Sequence, residues 1–429
     1  MRQNDITRPG GVQEAPRAEL NGGFINNLSQ RHRSGQTWQL IFQASTIVGI
    51  VALSALLYNI LDLSFGYLAL ESKVNPATLA VDGIPLEELP KERLVEILKA
   101  NISAGLFRKY ERDMPMEERT RDDVYALILD KVVEPKVKQT WSLTDSLLRR
   151  SEIAATVQEK YPEATLVFTS WPNYQFISKP QSSDPLRAGV RTAVLGSLWT
   201  IAITILVAFP LGVGAAIYLE EYARDNWINR IIQTNINNLA GVPSIIYGML
   251  GLAIFVRTLE AFTSGAAFGV PVDPTTANGR TILSAGLTLA LLVLPLIIIN
   301  GQEAIRAVPN SLRHASLGLG ATKWQTVWNH VLPNAIPGIL TGTILAISRA
   351  IGETAPLVVI GASTFITVDP SSPYSKFTTL PIQIYQWTAR PQAEFRNIAA
   401  AAIIVLLALL LTLNAAAVLL RNRFSRRLI

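Results

Sequence analysis

Long uncharged runs alternate along this chain with short polar connections and one long polar stretch. No residue between Arg33 and Asp62 is charged, and the same holds over 192–219, 231–256, 281–302 and 397–420. Each run reaches the roughly 20 residues that a helix, rising about 1.5 Å per residue, needs to cross a hydrocarbon core about 30 Å thick. A sixth run, 334–361, has the same length but carries Arg349 and Glu353. The pattern predicts an all-α polytopic membrane protein with six transmembrane helices. The first is expected over 37–63 and five more within 187–420.

One connection is far longer than the rest. Residues 64–186 form a polar insertion in which PLEELPKERLVEILKAN, 116–134 and 144–160 read as helices, while 164–177 alternates like a strand or irregular segment. A mainly helical extracytoplasmic domain is expected there, with no catalytic constellation in it. The polar segment 1–36 carries Arg2, Arg8, Arg17, Arg31 and Arg33 without an early apolar core. It reads as a disordered cytoplasmic tail before a retained helix rather than as a cleaved signal. Six crossings then return the basic tail 421–429 to the cytoplasm. The connections at 220–230 and 303–333 carry Arg224, Arg230, Arg306, Arg313 and Lys323, whereas 362–395 has only Lys376 and Arg390 as basic residues. That bias follows the positive-inside rule, from which long translocated domains are exempt.

Composition agrees: 49% of residues are hydrophobic and 16% charged, against roughly 25% charged in a typical soluble domain. The net charge of +6 is accounted for by membrane topology and gives no reason to expect nucleic acid. Cysteine is absent, which excludes disulfides and thiolate chemistry. His32, His314 and His330 lack metal-ligand spacing, so neither a metal site nor a catalytic site is expected. No GxxxxGK[ST] phosphate loop occurs. If ATP drives this protein, a partner subunit binds the ATP-Mg and this chain carries no cofactor.

Two features remain. The segment 303–333 reads as a two-helix hook. Asn310 or Ser311 after Pro309 is placed to cap the first helix, and Gly318 and Gly320 interrupt it. Thr322 and Gln325 form a Thr-x-x-Gln capping box for the second. Trp324, Val327, Trp328 and Val331 fall on one apolar stripe, and Pro333 is expected to end that helix. Such a stripe lies either on the membrane surface or in a groove of a partner. The second feature is Arg349 with Glu353 four residues on. A charge at the centre of a spanning helix costs about 2.5–3.5 kcal/mol on insertion scales, so each needs a reason to be there. The two can neutralise each other and merely stabilise packing. Alternatively, Arg349 offers its fork to an oxyanion and Glu353 holds it when the site is empty. Glu353 would also discriminate, because phosphate keeps a proton to donate at neutral pH and sulfate does not. Asn235, Asn237 and Asn238 are expected to bond between helices, Pro243 and Pro295 to kink them, and Gly212 and Gly214 to permit close approach.

The hook resembles the E-A-A-x3-G-x9-I-x-L-P loop of bacterial ABC-importer permeases. Here it reads His314-Ala315-Ser316, Gly320 after three residues, then His330-Val331-Leu332-Pro333 after nine. His314, Ser316 and His330 replace the usual Glu, Ala and Ile. The resemblance implies that about 311–331 form the coupling helix seated in an ATPase cleft, with His314 altering the usual charged contact. The blocks SRAIGETAPL, GAAIYLEEYA and AGVPSIIYGMLGLAIFV are similar to phosphate-specific ABC transporter permeases of the A type, through 187–420 and the first span. The long 64–186 insertion departs from that pattern.

This resemblance implies the type I importer fold and a cytoplasmic (inner) membrane location. It implies a second, C-type permease, two ATPase subunits and a periplasmic phosphate-binding protein as partners. Arg349, Glu353 and the adjacent Thr354 become the candidate phosphate-pathway residues. His314, Ala315, Ser316, Gly320, Trp324, Trp328, Leu332 and Pro333 become the ATPase-coupling residues. The function expected is a non-enzymatic permease subunit of an ATP-driven phosphate importer. An ABC permease for another oxyanion, or a secondary anion transporter, are the alternatives.

Overall fold

The computed structural model describes residues 28–81, 83–270, 279–362 and 365–425. Among the described residues five helices are long and apolar enough to cross a membrane, six if one bent pair is counted as a single span. The first helix, α1 (Leu28–Ser64), starts nine residues before the expected boundary of the span at 37. The disordered tail expected over 1–36 is therefore helical from Leu28, and the remainder lies outside the described residues. The described residues up to Tyr58 form one compact unit and those from Asn59 onward the other.

In the second unit, α8 (Arg191–Tyr222) and α11 (Ile282–Arg306) form the central pair, numbered after the seven helices of α1 and the insertion. Ile282, Leu289, Val293 and Ile297 of α11 are almost completely buried, with Ile201 and Ala208 of α8 packed into the same core. Small residues allow this approach. A Cβ on Gly286 would come within 2.6 Å of Ile203, and one on Gly212 equally close to Ile297. Gly214 has no such neighbour, so only the first of the two expected contact glycines serves that purpose. Thr204 donates to its own helix at Thr200 and lies 3.1 Å from the Gly286 carbonyl of α11.

The run 231–256 is not one straight helix. It divides into α9 (Trp227–Ala240) and α10 (Ser244–Thr258), which meet at 107°. Pro243 supplies no N–H to a continuing helix, and it begins the second half rather than kinking a single one. The interhelical bond expected of the Asn cluster is made by another residue: Gln233 and Gln302 exchange bonds of 3.2 and 2.8 Å, while Asn235 donates to Ile231 in its own helix.

The insertion contains a three-stranded antiparallel sheet besides its helices. Its strands are β1 (Phe65–Ser72), β2 (Pro135–Thr140) and β3 (Thr165–Ser170), in the order β2-β1-β3. Helices α2 (Lys91–Asn101), α3 (Ala104–Asp113) and α4 (Arg121–Ile128) enclose a core of Leu86, Leu94, Leu98, Val124 and Ile128. The expected helix at 144–160 is two, α5 (Leu143–Leu148) and α6 (Arg150–Lys160), parted at Arg149. β3 and the short α7 (Tyr174–Ser178) cover the segment expected to alternate.

This domain shares a core with the membrane helices. Leu68, Trp171 and Phe176 pack with Val190 and Ala193 of α8 and its approach, and with Trp387, Phe395 and Ile398 near the last span. Arg187 adds an ionic tie, bridging Asp130 of the insertion to Asp184. Burial raises the Asp184 carboxyl above its usual range and weakens the hold of Arg187 on its proton, so each charge depends on its partners.

Candidate functional site

The hook begins after α11 with α12 (Asn310–Gly318). Pro309 takes the N-terminal cap position and no side chain caps this helix; Asn310 lies inside it and accepts from Arg313 instead. The turn that follows places Gly320 at φ +85°, a left-handed conformation that a side chain would strain. The predicted capping box forms as read: Gln325 N donates to Thr322 Oγ1 at 3.3 Å and Thr322 N to Gln325 Oε1 at 2.8 Å.

The second helix does not end at Pro333. It continues as α13 (Lys323–Gly352), one helix of 30 residues that joins the hook to the membrane span. Proline removes a backbone donor and crowds the preceding turn. A π turn at Val327–Val331 accommodates this by spacing its bonds five residues apart just before Pro333. Pro333 and Leu332 are half-buried in the first turn of the apolar part.

The expected apolar stripe divides into two faces. Val327 and Val331 are buried, Val331 with Ile305, Val308, Ala335 and Ile339. Trp324 and Trp328 are more than half exposed and stack on each other with centroids 5.4 Å apart. His314 and Ala315 on α12 are exposed as well. Ser316 is buried and lies 2.9 Å from the Thr326 hydroxyl, which joins the two arms of the hook. The hook thus offers a surface of two tryptophans, His314 and Ala315, while Ser316, Gly320, Leu332 and Pro333 set its shape.

Four further residues hold this hook, and sequence reasoning missed their role. Glu220 and Glu221 lie in the π turn that ends α8. Arg306 donates to both carboxylate oxygens of Glu220 at 3.0 and 2.9 Å. Arg313 donates to Glu221 at 3.0 and 2.8 Å, and to the carbonyls of Val308 and Ile305 and the side chain of Asn310. The Arg313 and Glu221 side chains are only 16% and 9% exposed. Lys323 also lies over the Tyr222 ring at 5.3 Å. The signal available in the sequence was two adjacent acids at the end of one uncharged span and two arginines after another. In the sequence alone these arginines read only as topology signals.

At the other end of α13 is the second candidate cluster. The expected single span 334–361 is broken, because the helix stops at Gly352 and resumes as α14 (Ala355–Ile360). Pro356 has no N–H for the Gly352 carbonyl, which favours that stop. Arg349 occupies the last helical turn, where its charge complements the helix dipole. Glu353 is no longer helical, with φ −74° and ψ 123°. Its Oε1 accepts from Arg349 Nε at 3.2 Å, and the two side chains are 45% and 17% exposed. That is the guanidinium's one polar contact among the described residues. Thr354 is half-buried at the break and caps α14 with no side-chain bond. A Cβ on Gly248 of α10 would meet Pro356 at 2.6 Å, so the bent span packs directly on the broken one. Tyr247 lies within electrostatic reach of Arg349 and donates to the Leu239 carbonyl at 2.8 Å across the bend.

No group of three or more metal-ligating side chains occurs among the described residues. The arrangement is chemically suited to holding an anion by an unsaturated guanidinium beside a carboxylate.

Residues 208–429 match the profile of the binding-protein-dependent transport system inner membrane component. The probable ABC transporter permease protein YqgI of Bacillus subtilis is 35% identical over 216 residues, which is 50% of this chain and 67% of that protein. The phosphate transport system permease protein PstA 1 of Mycobacterium tuberculosis is 36% identical over 246 residues, covering 57% of this chain and 74% of that protein. Among solved structures, the MetNI methionine ABC transporter in an inward-facing conformation aligns with 57% of this chain and 99% of its own, at 19% identity and a TM-score of 0.42. On the profile match and the identity shared with these relatives, the chain belongs to the family of inner membrane components of binding-protein-dependent transport systems.

Proposed function

We propose that this chain is the A-type permease subunit of an ATP-driven importer for inorganic phosphate, and that Arg349 receives the anion. The observation that carries this is the state of Arg349. It stands at a helix break inside an otherwise uncharged run, nearly half exposed, with a single bond to Glu353. A guanidinium with free donors presents a planar fork that matches a tetrahedral oxyanion. Glu353 holds the guanidinium in the absence of anion, then accepts a hydrogen bond from the protonated oxygen of phosphate. The Thr354 hydroxyl, without a cap bond, is a third ligand at the same break. The name borne by the M. tuberculosis relative supports phosphate as the anion.

The exposed Trp324–Trp328 surface, with His314 and Ala315, seats in an ATPase subunit that holds ATP-Mg, so hydrolysis occurs outside this chain. A complete importer has this chain, a C-type permease, two ATPase subunits and a phosphate-binding protein, with both termini of this chain in the cytoplasm. Because α13 runs unbroken from Lys323 to Gly352, a displacement of the hook is carried along one helix to Arg349.

The test is uptake of labelled phosphate by proteoliposomes containing the assembled complex. ATP-dependent phosphate accumulation is expected, with sulfate excluded. Phosphate flux that persisted without ATP or without the ATPase subunits would overturn this reading.

A further inference from the structure

Two spans fix the level at which this protein leaves the apolar layer on the side of the insertion. The uncharged run of α1 ends at Asp62, and that of the last helix, α15 (Ala393–Ser425), begins after Arg396. Asn397 Nδ2 donates to the Leu63 carbonyl at 3.0 Å, so the two ends lie side by side. The Asp62 carboxylate in turn accepts from the backbone N–H and hydroxyl of Thr144 at 2.7 and 2.6 Å. Thr144 is the second residue of α5. Tyr67 N donates to Ser146 Oγ at 2.9 Å, which fixes the same helix to β1.

The beginning of α5 is therefore held at the boundary. Beyond it Leu147 and Leu148 are 71% and 78% exposed, and Arg149 and Arg150 follow, also exposed. Leu148 is four residues past Thr144, about 6 Å along a helix. The headgroup layer is roughly 5–7 Å deep on each face, as the difference between total and hydrocarbon thickness requires. Whatever direction α5 takes from Asp62, both leucines remain within about that layer.

The charges around them suit the same surroundings. Arg149 has a loose contact of 3.7 Å with Asp145, both side chains well exposed. Arg150 lies 5.9 Å from the centre of the Tyr67 ring, and Glu152 is the one acid in the first turn of α6. Two adjacent guanidiniums after two bare leucines combine an apolar insert with a pair of phosphate-binding donors.

We propose that Leu147–Arg150 is a bilayer anchor. The leucines enter the headgroup–acyl boundary, and the arginines meet lipid phosphates. The anchor sets the height of the insertion at the membrane surface, independently of which anion the permease carries. The occupant is lipid because the segment is continuous with the ends of two membrane spans.

The absence of cysteine makes the test direct. The assembled complex would be reconstituted in phosphatidylethanolamine–phosphatidylglycerol vesicles with a single cysteine, Leu148→Cys, carrying an environment-sensitive fluorophore. Glu96→Cys, on the exposed face of α2, is the control. Lipids bearing a nitroxide near the headgroup are expected to quench the Leu148 label several-fold more than lipids with the nitroxide deep in the tail. An aqueous quencher should act several-fold more on the Glu96 label. Quenching of the Leu148 label by the aqueous reagent to the same extent as at Glu96 would overturn the proposal. Protection from both lipid and aqueous quenchers would overturn it too, assigning the surface to a protein partner.

Discussion

Two arginine–glutamate pairs in this molecule look alike on paper and differ in every physical respect. Arg313 and Glu221 are joined from different spans, nearly buried, and the guanidinium also serves three other acceptors. Arg349 and Glu353 are four residues apart at one helix break, with a single bond of 3.2 Å and the guanidinium nearly half exposed. A saturated guanidinium has nothing left to offer a ligand and serves as a structural clamp. An unsaturated one, in a place where charge is costly, has donors available for an anion. The first pair serves structure and the second is the proposed anion contact, while α13 joins the hook that the first pair holds to the break that carries the second.

The largest effect should come from breaking the saturated pair. Arg313→Met leaves Glu221 buried without a partner, a change that costs about 3–5 kcal/mol. Thermal unfolding of the purified permease should show it as a clear loss of stability. The double variant Arg313→Met, Glu221→Leu should recover most of that loss, since an apolar pair of similar volume is often equivalent. A double variant as unstable as the single one would mean that the site depends on charge for more than pairing.

A smaller effect is expected at the unsaturated pair. Glu353→Gln should leave folding intact but lower the preference for phosphate over sulfate by about tenfold, equivalent to one charge-assisted hydrogen bond. Competition between the two anions during uptake measures it. Unchanged exclusion of sulfate would remove Glu353 from selectivity. Smallest is Arg306→Ala, the exposed half of the clamp. Its side chain is 69% exposed, so its loss should change stability by roughly 0–1 kcal/mol and diminish further at high salt.

The parts legible in the sequence were those fixed by neighbours along the chain. The Thr322–Gln325 box and the turn at Gly320 are set within a few residues, and both form as expected. The spans were readable because apolar length is itself the physical requirement. Pro333 misled because a proline stop is only a tendency, and a π turn just before it absorbs the missing donor. β1 and β2 escaped notice because strand pairing is long-range: Leu70 opposes Val137, and the β2 sequence PKVKQT is too polar to stand out alone. The clamp escaped for the same reason, with Arg313 and Glu221 lying 92 positions apart. The Arg349–Glu353 pair was visible because charge is conspicuous in an apolar run. Its placement at a helix break, rather than on a continuous helical face, needed the structure.

The most direct test of the account is ATP-driven phosphate uptake by the reconstituted complex carrying Arg349→Gln, beside Arg349→Lys and the parent. Loss of two charge-assisted bonds, about 3 kcal/mol, predicts uptake lowered by roughly 100-fold in the Gln variant. Lysine keeps the charge without the planar fork and should restore only part of it. Assembly and thermal stability should match the parent in both. Phosphate uptake by Arg349→Gln at the parent rate, with the complex intact, would contradict the assignment of Arg349 as the residue that receives the anion.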